Sequence, residues 1–249
     1  MIYKLTQAQI DEILDLHQKW LDRDPAGKRA NFSYMDLSGV DFSDRNLTRS
    51  NLSNANLECA NLTGANMNGA NLKFANLIGA NFTGANLTST NLKRANLISA
   101  NLYCAILFEA NLECANLTGA NLNGANLKFA NLTDANITGA NLESIKEDFF
   151  TRLALAKNEV AGLYDYLLRG KIDGSCYEGE CACFVGTIAN IRHENYKNIS
   201  NGLKPDSNSA TEKFFLAIRA GDTPQNNPVA KIIAEWINEF MTQNNIVVN

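Results

Sequence analysis

From Ala30 to Ser144 the sequence repeats every five residues, through 23 consecutive units without an insertion. Such a period, found before any helix or strand is assigned, decides the architecture of the segment that carries it. The unit centres run Phe32, Leu37, Phe42, Leu47 and onward to Leu142; 18 are Leu, three are Phe, and Met67 and Ile137 complete the set. Ala stands two residues before the centre in 18 units, and Asn one residue before it in 20. Five residues match neither the 3.6 of a helical turn nor the two of a strand. The chain can keep this period only by making a short extended piece and then turning in every unit, aiming one large and one small side chain inward each time. Asn before the centre can bond turn amides, and Gly two residues after it accepts a left-handed turn conformation. The Asn are therefore read as structural.

Segments such as ANLECANLTGANMNGANLKFANLIGAN and EANLECANLTGANLNGANLKFANLTDAN resemble the pentapeptide-repeat proteins. The fold this resemblance implies is a right-handed quadrilateral β-helix, a solenoid with four pentapeptides in each coil. Residues 20 apart would then stack at about 4.8 Å, the spacing of strands in any sheet. One inward column would be Phe32, Leu52, Leu72, Leu92, Leu112 and Leu132. Met35, Val40, Arg45, Ser50 and Thr90 replace the small inward Ala. A buried unpaired Arg45 is costly, so the coil is expected to widen or deform there. A second, coarser repeat copies Glu58-Cys59 at Glu113-Cys114 and Lys73-Phe74 at Lys128-Phe129, and is read as repeat expansion.

A solenoid hides its end coils with atypical elements. Residues 1–29 are expected to form an N-terminal helical cap: Thr6 and Gln9 make a capping box, and Ile10, Ile13, Leu14, His17, Trp20 and Leu21 mark one face of a helix ending near Asp24 or Pro25. Residues 30–144 form the repeat. Residues 145–249 are expected to form a capping helix and a small, mainly helical domain. Its signals are a Ser144/Glu147 capping box, helical spacing from Ile145 to Leu167 with a bend near Gly162, a helix around Phe214 and Phe215, and a last one opened by Asn227 and Pro228.

The segment between those helices most resembles a chemical site. Cys176, Cys181 and Cys183 have C-x4-C-x-C spacing, and His193 follows ten residues later. Zinc wants four close N or S ligands, so these four residues are weak metal candidates beside the plainer reading of buried thiols. GSCY also resembles the nucleophile segment of papain-like proteases, but Asp173 replaces the leading Cys and the following His lies only 17 residues on. A cysteine-dependent enzyme in this domain stays an alternative. Phosphate loops, calcium loops and serine elbows are missing from the sequence, and no cofactor is expected.

A net charge of −4, from 26 acidic and 22 basic residues, does not favour a nucleic-acid backbone. No apolar run approaches membrane-span length, and the N-terminal residues lack a signal-peptide pattern, so a cytoplasmic protein with reduced cysteines is expected. Some pentapeptide-repeat proteins mimic DNA and bind type II topoisomerases, which requires a continuous acidic face. Here residues 30–144 carry eight acidic and six basic residues, with Lys73 and Lys93 stacked in one outward column beside Arg94. The leading reading is a non-enzymatic scaffold or protein-binding module, with a protein partner or a second copy as its ligand. The candidate interaction patch is Ile106, Phe108 and Phe129. Ile106 alone replaces the Asn or Asp before a centre, Phe108 also points outward, and Phe129 should lie one coil further along beside Lys128, which stacks on Phe108.

Overall fold

The computed structural model describes residues 5–172, 184–192, 209–215, 217–218 and 221–247. They fall into two compact units, Met1–Asn126 with Ala135–Asn141, and Leu127–Asp134 with Leu142–Asn249.

In the first unit the five-residue period becomes a coil of 20 residues. Parallel bridges join Asn31 to Asn51, Asn51 to Asn71, Asn71 to Asn91 and Asn91 to Asn111, and the three other columns pair with the same offset. This unit is thus a repeat β-helix in which four pentapeptides complete each coil. The reason the five-residue unit works is an accounting of amides, since every buried backbone N–H needs an acceptor. In the unit 71–75, Asn71 N–H donates to Ser50 O one coil back, while Leu72 and Phe74 donate to Asn91 O and Lys93 O one coil on. Ala75 closes the turn by donating to Leu72 O. The remaining amide, Lys73 N–H, donates to the side-chain Oδ1 of Asn71 at 3.3 Å. Asn is therefore the residue that supplies the acceptor the turn itself omits.

The same side chains do a second job. Asn76 Nδ2 donates to Asn56 Oδ1 at 2.9 Å and Asn121 Nδ2 to Asn101 Oδ1 at 3.1 Å, so amide ladders run along the coil axis. Inside, the centres from Phe32 to Leu117 and the Ala before them are buried. Two polar replacements of Ala differ in outcome. The Thr90 hydroxyl donates to Met67 O at 2.8 Å, whereas the buried Ser50 Oγ has no hydrogen-bond partner among the described residues.

Helix α1 (Gln7–Leu21) opens on the expected box: Gln9 N–H donates to Thr6 Oγ1, and Thr6 N–H donates to Gln9 Oε1. It ends at Leu21, a few residues before Asp24 and Pro25. Ile10, Leu14 and His17 are buried. His17 fastens the helix to the first coil, its Nδ1 accepting from Ala30 N–H at 3.1 Å and its Nε2 lying 3.0 Å from Thr48 O. Arg45 is the clear departure from expectation. The coil is not deformed, because Arg45 N–H still donates to Phe42 O and Arg45 O still accepts from Asn66. Its side chain leaves the core instead and pairs with Asp11 on α1.

The second unit holds α2 (Glu143–Leu155), a 3-10 turn (Lys157–Glu159), α3 (Val160–Leu168), α4 (Phe184–Arg192), α5 (Ala210–Phe215) and α6 (Pro228–Gln243). Two boundaries differ from the sequence reading. Helix α2 has Leu142 rather than Ser144 as its N-cap, with Leu142 O accepting from both Ile145 and Lys146, and no side chain caps it. The break in the helical run falls at Ala156–Glu159 and not at Gly162, which lies within α3. Gly162 instead allows close packing, since a Cβ there would meet Ile191 Cγ2 at 3.0 Å. Phe149 forms the aromatic core with Phe184 and Phe215, each 5.6 Å away between ring centroids, and Trp236 at 6.1 Å. Helix α6 opens as expected, the Asn227 side chain accepting from Val229 and Ala230 ahead of Pro228.

Candidate interaction surface

The coil decides which side chains reach its surface. Within each unit the residue before the centre faces outward on a flat strand, and the two residues after the centre form a corner. The second corner residue has positive φ in every unit from Tyr34 to Gly139, whether glycine, as at Gly79, or not, as at Phe74 (φ 62°) and Phe129 (φ 61°).

Ile106 stands in the bridge column between Asn86 and Asn126 and is 40% exposed, as its position required. With no amide it interrupts the Asn ladder. Phe108 and Phe129 are both half-buried. Ile106 and Phe108 share the first unit, whereas Phe129 belongs to the second, where the Lys128 ammonium lies 5.1 Å from its ring centroid.

A more defined cluster lies in the column that the sequence showed as basic. Phe74, 42% exposed, has the Lys73 ammonium 4.8 Å and the Arg94 guanidinium 5.9 Å from its ring centroid. Cation over ring contacts of this kind are worth about 0.5–1 kcal/mol at exposed sites. Lys93 is neutralised by Glu113, 2.7 Å away. The sequence located the cations but missed Phe74 between them and the pairing of Lys93. The signal was available: Phe74 and Arg94 are 20 residues apart, and Glu113 is 20 beyond Lys93.

Cys176, Cys181, Cys183 and His193 lie outside the described residues. Among the described residues no three His, Cys, Asp or Glu side chains gather as a metal-binding group, and no helix is long and apolar enough to cross a membrane. Cys59, Cys104 and Cys114 are free thiols on three different columns. Two titratable groups are perturbed for structural reasons. Burial, helped by the charge of Arg29, holds the His17 imidazole below its usual value despite its contact with Thr48 O. Burial would raise Asp148, but hydrogen bonds from Thr211 and Ser209 and the charge of Arg152 outweigh it and hold the carboxyl low. That carboxylate accepts Thr211 N–H and Ser209 Oγ–H, each at 2.8 Å, at the start of α5.

The profile described as pentapeptide repeats matches residues 46–84, 75–113 and 110–145, in eight copies. Among solved structures, the chain is similar to a pentapeptide repeat protein from the thylakoid lumen of Arabidopsis thaliana, with 32% identity, 51% of this chain and 77% of that chain covered, and a TM-score of 0.31. It is similar to HetL, a pentapeptide repeat protein involved in heterocyst differentiation regulation from Nostoc sp. strain PCC 7120, at 29% identity over 47% of this chain and 72% of that chain, TM-score 0.27. It is also similar to Rfr23, a pentapeptide repeat protein from the cyanobacterium Cyanothece 51142, at 32% identity over 45% of this chain and 84% of that chain, TM-score 0.23. No curated protein matches the chain.

Proposed function

We propose, because this chain belongs to the pentapeptide-repeat family, that it is a non-enzymatic protein-binding module working through the outward side chains of its coil. In this reading residues 30–144 form a four-sided, right-handed β-helix that presents the binding surface. Residues 1–29 cap its first coil, residues 145–249 form a small, mainly helical domain, and the protein works in the cytoplasm.

The observation that carries the reading is Ile106. Folding asks for Asn at that place, as on the coils before and after it, and an exposed aliphatic side chain stands there instead. Departures from a strong local rule without a folding gain mark functional positions. With Phe108 it forms the proposed contact patch for a protein partner or a second copy. Mimicry of DNA is the weaker reading, because Lys73 and Arg94 place positive charge where a mimic needs carboxylates. The test is Ile106→Asn combined with Phe108→Thr. Weakened association is expected, read by light scattering for self-association and by titration against each purified partner. Unchanged size at micromolar concentration together with unchanged partner binding would refute the reading.

A further inference from the structure

The sheet face between Phe74 and Ile98 has a composition unlike the rest of the coil. Between the corners that carry Phe74 and Ile78, Ala75 and Leu77 are buried and Asn76 faces outward. One coil on, the corresponding places hold Arg94, Asn96 and Ile98, with Asn76 bridged to Asn96. Three large apolar side chains at the corners, Phe74, Ile78 and Ile98, therefore flank the bridged Asn pair. Along one edge stand Lys73 and Arg94. Neither has a carboxylate within ion-pair distance among the described residues, and both sit over the exposed Phe74 ring. Their neighbour Lys93, by contrast, is already neutralised by Glu113.

We infer that this face is a docking site for an acidic segment of a partner protein, one that carries apolar side chains between its carboxylates. The inference rests on the protein-binding reading and deepens it. Charge complementarity selects the partner: the molecule is acidic overall, with a net charge of −4, yet this edge offers two cations free for carboxylates. Cations fixed over an aromatic ring are already ordered, so less side-chain entropy is lost when a carboxylate arrives. Ile78 and Ile98 supply the apolar contact that makes an alternating segment fit better than a purely acidic one. Nucleic acid is disfavoured by the same surface, because two cations are too few for the counterion release on which such binding depends.

The test uses a labelled peptide of alternating glutamate and leucine, with fluorescence anisotropy against the full chain. Binding is expected to weaken as salt rises, and to weaken by about tenfold or more in the double variant Lys73→Glu with Arg94→Glu. Thr88→Glu, on another corner, should leave it unchanged. Thermal melts of all variants should coincide within a few degrees, since the substituted side chains lie outside the core. Four results would overturn the inference: no binding of the peptide by the unaltered chain; equal binding of the matching lysine and leucine peptide; equal binding of a single-stranded thymidine oligonucleotide; or a dimer in sedimentation that the double variant abolishes, which would assign the face to a second copy. If charge reversal has no effect on the peptide but Ile106→Asn with Phe108→Thr does, the face is wrong and the protein-binding reading stands.

Discussion

If Ile106 serves binding rather than folding, returning it to Asn should cost the fold little or nothing. The introduced side chain would regain two contacts made by Asn elsewhere in the coil. One is donation to the Oδ1 one coil back, as Asn76 makes to Asn56 at 2.9 Å. The other is acceptance from the amide two residues on, as Asn71 Oδ1 does from Lys73 N–H at 3.3 Å. At about 0.5–1.5 kcal/mol each, these contribute about 1–3 kcal/mol. Opposing them is the lost burial of Ile106. With 40% of the residue exposed, a little over half of the full value is at stake, about 1–2 kcal/mol. The two ranges overlap, so the effect of Ile106→Asn should lie between a loss of about 1 kcal/mol and a gain of about 2 kcal/mol. For a chain of this size each kcal/mol moves the melting temperature by about 2–4 °C. Urea unfolding followed by circular dichroism measures the difference directly, provided the slope is unchanged. A loss of more than about 3 kcal/mol would refute the reasoning, because only a packed side chain costs that much.

Three further outcomes follow from the coil and its N-terminal helix. Leu92→Asp should prevent folding while Thr88→Asp leaves the melt nearly unchanged, because only the first buries an unpaired carboxylate; equal circular-dichroism melts would contradict this. Ser50→Ala should stabilise by about 1 kcal/mol, since it removes a buried hydroxyl that lacks a hydrogen-bond partner, and a destabilisation in urea would refute it. His17 is held below its usual value in the fold, so the folded state binds fewer protons at this site than the unfolded one. Its contribution is thus present above pH about 6.5 and lost as pH falls below that through the lowered folded value. Melts at descending pH should show a decline that His17→Gln removes, and an equal decline in both proteins would count against the role of Nδ1 as acceptor for Ala30.

What the sequence disclosed depended on how far away each residue's partner lies along the chain. The repeat was legible almost residue by residue, since its rule needs only neighbours within a unit and a fixed offset of 20, and the buried centres follow it. Capping at Thr6 and Asn227 was legible for the same local reason. Arg45 was not, because the group that draws it out of the core is Asp11, 34 residues away on α1. Gly162 suggested a bend because glycine weakens a helix, yet its role is to admit Ile191 from α4. At Asp148 only the i,i+4 pairing with Arg152 was local; the amide and hydroxyl it accepts from come from Thr211 and Ser209, more than 60 residues on. In the candidate surface the cations were visible as a column, whereas the ring between them depended on the left-handed backbone at Phe74 that brings it towards Arg94.

The placing of Phe74 beside Arg94, and of Ile106 between Asn86 and Asn126, follows from a coil of 20 residues. The register is measured most directly by nuclear magnetic resonance couplings across backbone hydrogen bonds. The Leu72 amide should couple to the Asn91 carbonyl, and the Asn91 amide to the Ala70 carbonyl, matching N to O distances of 2.8 and 2.9 Å. Couplings from either amide to a carbonyl in another register, or the absence of both in a folded sample, would contradict the coil and every surface assignment built on it.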